Sequence, residues 1–270
     1  MSTEAGLSRC AAACLALLLL LRAGPVLAEG GLLLVDPVPD HSQLSAGATL
    51  FLFPRYPGSA QRDPLPIPAF EWLGANGLFA STDLGVGWNA SHRKDLQFGV
   101  RLWPDLARSA SDGARLRGLP GIPLRIERTL FANWIPLEFA QIQSSLRSGL
   151  GPDGRGVMAE AGASIGAPIG RQVLAGLTVG MSWANQSFRQ GWFGIDPQVA
   201  AATGRPAFHA GAGWQDLQFA IGGEWQITSD WHLDLRTEHW RLLGAAAASP
   251  LTESRWQHGL VLSVWRDFAP

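Results

Sequence analysis

The stretch Leu217-Gln218-Phe219-Ala220-Ile221-Gly222-Gly223-Glu224-Trp225-Gln226 decides the fold, because apolar residues largely alternate in it with polar or small ones. A β-strand sends successive side chains to opposite faces, so this stretch has an apolar face and a polar face. The same alternation recurs along the chain, and the last alternating stretch ends at Phe268, near the C-terminus. A barrel in lipid places apolar side chains at every second strand position. The sequence therefore predicts an all-β fold, a transmembrane antiparallel up-and-down β-barrel.

The N-terminal residues 1–28 have the features of a cleaved signal peptide. Residues 10–21 form an apolar run too short to cross a bilayer as a helix, and Val26-Leu27-Ala28 is a small-residue cleavage site. We expect residues 29–43 to form a short periplasmic segment and residues 44–268 to form the barrel. A secretion signal followed by barrel strands predicts the outer membrane of a Gram-negative bacterium.

The composition narrows the possible functions. Charged residues make up 16 % of the chain, below the quarter that is usual for soluble domains. The net charge of −1 gives no reason to expect a nucleic-acid partner. Both cysteines, Cys10 and Cys14, belong to the signal peptide, so the mature chain has no thiol for a disulfide, a metal site or a nucleophile.

The number of strands depends on two ambiguous segments, 67–73 and 208–214. The clear strand candidates are 44–53, 78–88, 96–102, 124–133, 137–146, 157–165, 173–183, 217–226, 231–241 and 256–268. With the two ambiguous segments the barrel has twelve strands, which the period-two pattern favours; without them it has ten.

The strand count also determines on which side of the membrane the long connections lie. Ten strands put the segments 104–121 and 185–215 outside, where barrels usually carry their long loops. The twelve-strand alternative adds the segment 67–73 before both long segments and the segment 208–214 near the end of the second. The chain direction is then reversed between the two added strands. The twelve-strand alternative therefore predicts that both long segments face the periplasm.

Tryptophans and glycines have separate predicted roles in this barrel. Tryptophans near strand ends suit the aromatic girdle at the membrane interface. The predicted girdle residues are Trp88, Trp103, Trp134, Trp183, Trp214 and Trp231. Glycines on the inner face leave room for the few large side chains of a narrow lumen.

Four polar residues on one face of a single strand form the predicted lumen cluster: His232, Asp234, Arg236 and Glu238. They could line a pore or form a proton or metal site. A metal ion needs ligands that converge from several directions, whereas these follow one line. We therefore favour a charge-compensated network that satisfies polar groups inside the barrel.

The segment Gly162-Ala163-Ser164-Ile165-Gly166 matches the G-x-S-x-G pattern of serine hydrolases. That chemistry requires a sharp turn from a strand into a helix to expose the serine. Here the segment continues an alternating strand, so Ser164 is interpreted as a small polar lumen residue. The sequence predicts no enzyme, no catalytic residue, no cofactor and no metal; a lipid hydrolase is the least favoured hypothesis.

Four sequence words resemble the MipA/OmpV family of Gram-negative outer-membrane proteins. They occur in the family's order from about residue 44 to the C-terminus. The words are Tyr56-Pro57-Gly58-Ser59 with Pro64-Leu65-Pro66; Leu116-Arg117-Gly118-Leu119; Trp192-Phe193-Gly194-Ile195 with Gln198, Gly204 and Pro206; and Arg241-Leu242-Leu243-Gly244 with Ser249-Pro250.

This resemblance implies an outer-membrane barrel and a binding function. The founding member of the family is described as a scaffold between a lytic transglycosylase and a peptidoglycan synthase, so periplasmic murein enzymes are expected partners. Outer-membrane lipid and, through the C-terminal strand, the barrel-assembly machinery are further expected partners. A narrow small-solute channel and a surface adhesin remain alternatives. Loops on a rigid scaffold commonly carry binding residues, so the family words supply the candidate recognition residues. These are Tyr56, Gly58, Arg117, Gly118, Trp192, Phe193, Gly194, Gln198, Gly204, Leu243, Gly244 and Pro250.

Overall fold

Twelve antiparallel strands close into a barrel within residues 37–105, 107–149 and 156–268, which are the residues that the computed structural model describes. Each strand pairs with its neighbours in sequence, and β1 pairs with β12. The strands are β1 Gln43–Pro54, β2 Arg62–Leu73, β3 Leu78–Ser81, β4 Gly85–Asn89, β5 Leu96–Asp105, β6 Arg125–Leu137, β7 Ala140–Gly149, β8 Val157–Ile169, β9 Val173–Ala184, β10 Gly213–Gln226, β11 Trp231–Leu242 and β12 Trp256–Phe268. The prediction of a twelve-stranded up-and-down barrel is confirmed. The predicted signal peptide lies outside the described residues.

Helical segments occur in three of the connections between strands. A short 3-10 helix covers Ala114–Leu116 between β5 and β6. Between β9 and β10 the chain forms α1, Gln186–Phe193, and α2, Pro197–Thr203. A third helix, α3, covers Gly244–Ala248 between β11 and β12. Among the described residues, no helix has the length and apolar character needed to cross a membrane.

The structure reaches twelve strands in a different way from the prediction, because one predicted strand is two and one predicted segment is not a separate strand. The segment 78–88, predicted as one strand, is a hairpin of β3 and β4 that turns through residues 82–84. The segment 208–214 is not a strand before β10, because Phe208 makes only an isolated bridge with Ile195. The ambiguous segment 67–73 does belong to a strand, β2.

This difference changes where the long connections lie. Both additional strands precede residue 107, so the chain direction does not reverse between the segments 107–124 and 185–212. Both segments lie at the end of the barrel opposite the start of β1 and the end of β12. The expectation that twelve strands bring them to the side of the chain termini is wrong. We call the end that carries these two segments the loop end. The end where β1 starts and β12 ends is the turn end.

The β3–β4 hairpin is short, and it leaves one edge of β2 without a strand partner over most of its length. Among the described strands, β3 pairs with β2 only at Glu71–Leu73. Phe70 directs its N–H and its carbonyl toward Thr82, so alternate residues before it direct their backbone groups to the same side. Those residues are Pro64, Pro66 and Pro68, which have no N–H to offer. The prolines therefore protect this edge from pairing with another chain.

The outer face of the barrel is apolar around its circumference. Large apolar side chains on it are exposed, among them Val86 at 61 %, Ile169 at 62 % and Ile221 at 60 %. A soluble protein does not expose so extensive an apolar surface, whereas a barrel in lipid does. Five of the six predicted girdle tryptophans lie on this face. Trp103 is the exception: it is buried on the inner face, where the guanidinium of Arg101 lies 5.8 Å from its ring centroid.

Glycine on the inner face makes room for aromatic rings. A Cβ atom at Gly259 would lie 2.4 Å from Cε1 of Phe53 and 2.9 Å from Cη2 of Trp240. These two rings pack 5.7 Å apart, and Phe51, Ile67 and Val261 complete a buried apolar cluster. One wall of the lumen is therefore filled by packed apolar side chains rather than by large polar ones.

Candidate functional site: a loop cap and a charged lumen

Local sequence explains the two helices between β9 and β10. The Asn185 side chain accepts a hydrogen bond from the N–H of Phe188 at 3.0 Å and caps the start of α1. Pro197 occupies the first turn of α2, a position that does not need its missing N–H. Gly204 ends α2 with φ +69°, a left-handed conformation that glycine adopts at little cost.

Four connections at the loop end pack together; they are residues 55–61, 107–124, 185–212 and 243–255, and we call them the loop cap. Their shared apolar core consists of buried Tyr56, Leu116, Leu119, Ile122, Trp192, Phe193, Ile195, Ala200, Ala210, Leu242, Ala246 and Leu251. Three of the connections leave the barrel next to one another, from the consecutive strands β9 to β12, β1 and β2, whereas the 107–124 connection leaves it on the opposite side, from β5 and β6. A core that they share must therefore lie across the mouth of the barrel. All four family words contribute residues to this core.

Side-chain hydrogen bonds to backbone carbonyls hold the connections of the loop cap to one another. The Ser249 hydroxyl donates to the Phe193 carbonyl at 2.7 Å. The Arg115 guanidinium donates to the carbonyls of Pro250 and Thr252, both at 2.9 Å. Because these bonds join segments far apart in sequence, they fix the cap as one packed unit.

Two buried arginines reinforce the same core. Nη1 of Arg108 donates to the carbonyl of Trp192 at 2.7 Å, at the C-terminal end of α1 where a positive charge is favourable. Nη2 of Arg189 donates to the Leu243 carbonyl at 3.3 Å, and burial lowers the pKa of this guanidinium. Gly244 leaves space for it, because a Cβ there would lie 3.1 Å from Nη2.

Tyr56, the only tyrosine in the chain, anchors the β1–β2 connection in the cap. It is 1 % exposed, and its hydroxyl group donates to the Leu251 carbonyl at 3.4 Å. Burial raises the pKa of this hydroxyl, so the group stays protonated and remains a donor. Its contacts assign it to the stability of the cap.

The structure divides the candidate recognition residues into two groups. Buried in the cap are Tyr56, Gly58, Trp192 and Phe193, while Gly194, Leu243 and Pro250 are partly buried. Exposed on the cap are Arg117, Gly118, Gln198, Gly204 and Gly244. Gly194 has a packing role, because a Cβ there would lie 2.2 Å from Cδ of Gln190. Arg117 and Gln198 are the candidates with exposed side chains that a partner could contact.

A cleft of about 360 Å³ opens between the 107–124 connection and helix α1. Its walls include Arg108, Pro120, Gln190 and Asp196. The Gln190 amide donates to Asp196 Oδ1 at 2.7 Å, which sets the shape of one wall. The sequence did not indicate this cleft, since it depends on how two distant connections pack.

The predicted lumen cluster lies on the inner face of β11 but does not converge. His232 contacts two carboxylates from other strands, Glu224 at 2.7 Å and Asp267 at 2.8 Å. Arg236 Nε pairs with Glu238 Oε1 at 2.6 Å. No group of three or more potential ligands within the described ranges could hold a metal ion. The contacts form two separate groups along the strand, one around His232 and one between Arg236 and Glu238.

A second charged network, which the sequence did not indicate, lies on the lumen wall formed by the neighbouring strands β6, β7 and β8. The Arg147 guanidinium lies 3.8 Å from a Glu127 oxygen and 3.7 Å from a Glu160 oxygen. The amide of Gln218 and the hydroxyl of Ser145 also donate to Glu160, at 3.2 Å and 3.1 Å. The period-two pattern places positions 127, 147 and 160 on the inner face. Whether these three residues meet depends on the register between the strands, which the sequence does not show.

Ser164 lies within β8, with no strand-to-helix turn after it. Its hydroxyl lies 2.7 Å from the Thr178 hydroxyl, and it accepts a hydrogen bond from the Gln143 amide at 2.7 Å. Neither partner is a base that could activate a serine. The contacts are those of a structural polar residue in the lumen.

No curated protein matches the chain. Among solved structures, the NanC porin is 8 % identical with a TM-score of 0.42, covering 84 % of this chain and 100 % of that one. The CymD monoaromatic hydrocarbon channel is 9 % identical with a TM-score of 0.44, covering 85 % and 90 %. An outer membrane channel of Pseudomonas putida F1 is 9 % identical with a TM-score of 0.39, covering 92 % and 100 %. Such distant likenesses say nothing about substrate or partner.

The sequence itself gives the more specific match. Residues 46–268, which span the barrel from β1 to the last residue of β12, match the family described as MltA-interacting protein MipA. The chain therefore belongs to the MltA-interacting protein MipA family of outer-membrane β-barrels.

Proposed function

We propose that this chain is a non-enzymatic outer-membrane barrel of a Gram-negative bacterium that binds other macromolecules at its loop cap. The observation that carries the proposal is the convergence of four connections on one buried core across the barrel mouth. A packed cap presents a defined surface with little conformational freedom to lose on binding. The exposed side chains of Arg117 and Gln198 and the cleft beside α1 are the parts of that surface that offer polar contacts.

The proposal includes an orientation in the membrane. Outer-membrane barrels have short periplasmic turns and longer extracellular loops. The connections at the turn end are short, namely residues 74–77, 90–95, 138–139, 170–172 and 227–230. We therefore place the turn end in the periplasm and the loop cap at the cell surface.

A second candidate function is a scaffold that links a peptidoglycan hydrolase to a synthase. The family description, which names an interaction with MltA, favours it. In the orientation above, periplasmic enzymes reach only the turn end. There the lumen holds a cavity of about 650 Å³, whose lining includes Glu224, Asp234 and Arg236. A scaffold role for this chain would therefore use the turns and the charged opening, not the cap.

Site-specific photocrosslinking in intact envelopes tests the two functions separately. The probe is placed at exposed Ser187 on the cap and at exposed Ser229 in the β10–β11 turn, with lipid-facing Leu130 as the control position. Cap recognition predicts discrete crosslinked products from Ser187 that the Leu130 control does not give. The scaffold function predicts products from Ser229 that contain peptidoglycan enzymes. Products from neither position, with the barrel assembled normally, would contradict both functions.

A further inference from the structure

Basic side chains of three strands lie in one row on the outer face of the barrel, close to the loop cap. His239 on β11 pairs in register with His258 on β12, and Arg241 pairs with Trp256. On the far side of β1, Arg62 begins β2 opposite Pro54. We call Arg62, His239, Arg241 and His258 the basic row.

The two histidines contact each other directly. Nδ1 of His239 lies 2.7 Å from Nδ1 of His258, and the rings meet edge to face with centroids 5.0 Å apart. At this distance one proton lies between the two nitrogens. The ring that accepts this proton must carry its own proton on Nε2. The pair therefore has at least one Nε2–H donor that is not used in the contact between the two rings.

The two arginines flank this donor. The Arg241 guanidinium lies 5.7 Å from the ring centroid of Trp256, which holds it at the outer surface. Arg62, on the other side of β1, is exposed. Across the described ranges, no member of the basic row forms an ion pair with a carboxylate.

Other outer-face arginines have partners of their own. Arg128 donates to the Ser148 hydroxyl at 3.0 Å. Arg266, at the turn end, lies over the rings of Trp231 and Phe268. The basic row differs because two arginines and a pair of histidines gather at one height without a carboxylate. Such a group on a lipid-facing surface is costly unless it lies at the level of the polar headgroups.

We propose that the basic row binds the phosphate groups of lipopolysaccharide in the outer leaflet. A phosphate has several acceptor oxygens and can take bidentate hydrogen bonds from arginine together with an imidazole N–H. The row lies at the loop end, which the proposed orientation places at the cell surface, where lipopolysaccharide forms the outer leaflet. The apolar strands below the row would contact the acyl chains of the same molecule. The inference rests on this orientation and does not depend on what binds to the cap.

Native mass spectrometry of the purified full barrel, titrated with diphosphoryl lipid A in detergent, tests the proposal. The double variant Arg62→Gln/Arg241→Gln should bind lipid A at least about ten-fold more weakly than wild type, since charge-assisted hydrogen bonds are lost. His239→Gln/His258→Gln, which keeps both arginines, should weaken binding by a smaller factor. Arg128→Gln removes an outer-face arginine outside the row and should bind as wild type does. Folding of each variant is checked by its mobility on unheated gels.

Titrations with other ligands distinguish lipopolysaccharide from other sources of phosphate. Lipid A without its phosphates should lose the sensitivity to the arginine variants, because the row would have nothing to bind. Equal affinity of wild type and the arginine variant for intact lipid A would overturn the proposal. Binding of phosphatidylglycerol with the same variant sensitivity and affinity would also overturn it, in favour of a general anionic-lipid surface. Full displacement of lipid A by inorganic phosphate would indicate a free-phosphate site instead.

Discussion

Replacing Phe193 with alanine is expected to destabilise the loop cap by about 3–5 kcal/mol, the range for removing a buried phenylalanine ring. Phe193 is 0 % exposed and contributes to the apolar core that all four connections share. Its backbone carbonyl is also the acceptor for Ser249, so movement of α1 would break a bond to another connection. The barrel strands do not depend on this ring, so the loss should be local to the cap.

Hydrogen exchange measures the stability of the cap separately from the stability of the barrel, because each amide is observed individually. The amides of Ile195 and Phe208 bond to each other's carbonyls, both at 2.9 Å, within the cap. Their exchange should accelerate in Phe193→Ala while strand amides stay protected. Phe139→Ala is the matched control, because Phe139 is 56 % exposed and lies at the turn end. Unchanged protection of Ile195 and Phe208 in Phe193→Ala would show that the four connections do not form one core.

Replacing Arg147 with leucine is expected to lower the free energy of unfolding of the barrel by about 3–5 kcal/mol, the range for removing one partner of a buried ion pair. The side chains of Arg147, Glu127 and Glu160 are 11 %, 7 % and 6 % exposed. Without the guanidinium, two carboxylates would remain in the lumen without the cation that lies between them. Their mutual repulsion and poor solvation both oppose folding.

Urea titration of the barrel in detergent, read by gel mobility, measures this change. Arg128→Leu is the control, since Arg128 is a neighbouring arginine on the outer face with a hydroxyl partner. Adding Glu127→Gln and Glu160→Gln to Arg147→Leu should restore much of the lost stability, because the two carboxylates that faced the guanidinium are then replaced by neutral amides. If Arg147→Leu unfolds at the same urea concentration as Arg128→Leu, the network contributes nothing to stability.

The barrel could be predicted from the sequence because the pattern that indicates it lies within each strand. A period-two pattern repeats in each strand whatever the strand pairs with, so β8, β9 and β12 could be placed from their own residues. The same parity places His232, Asp234, Arg236 and Glu238 on the inner face of β11.

The hairpin of β3 and β4 was missed because the alternation continues through it. Leu84, Val86 and Trp88 keep the parity of one strand, while Thr82-Asp83-Leu84 lacks a strong turn signature. This single turn changed the expected side of both long connections. The burial of Trp103 was missed for a related reason, since its place near a strand end suggested the interface but its parity with Arg101 sets it inside.

The loop cap could not be predicted, because its contacts join residues far apart in sequence. Tyr56 meets Leu251, and Arg115 meets Pro250, through packing that no local pattern encodes. The family words lie in or next to the connections that form the cap, but two of their residues, Trp192 and Phe193, are buried in its core. The side chains left for a partner to contact are exposed ones, such as Gln198.

Single-channel conductance in planar bilayers tests most directly the central claim that the loop cap closes the barrel. The purified wild-type protein should give no stepwise openings, because the cap core crosses the mouth. A variant in which residues 186–208 are replaced by a short glycine-serine linker should give openings, since four of the twelve buried residues of the cap core are removed. Stable openings of the wild-type protein, unchanged by that replacement, would contradict the claim and favour a solute channel.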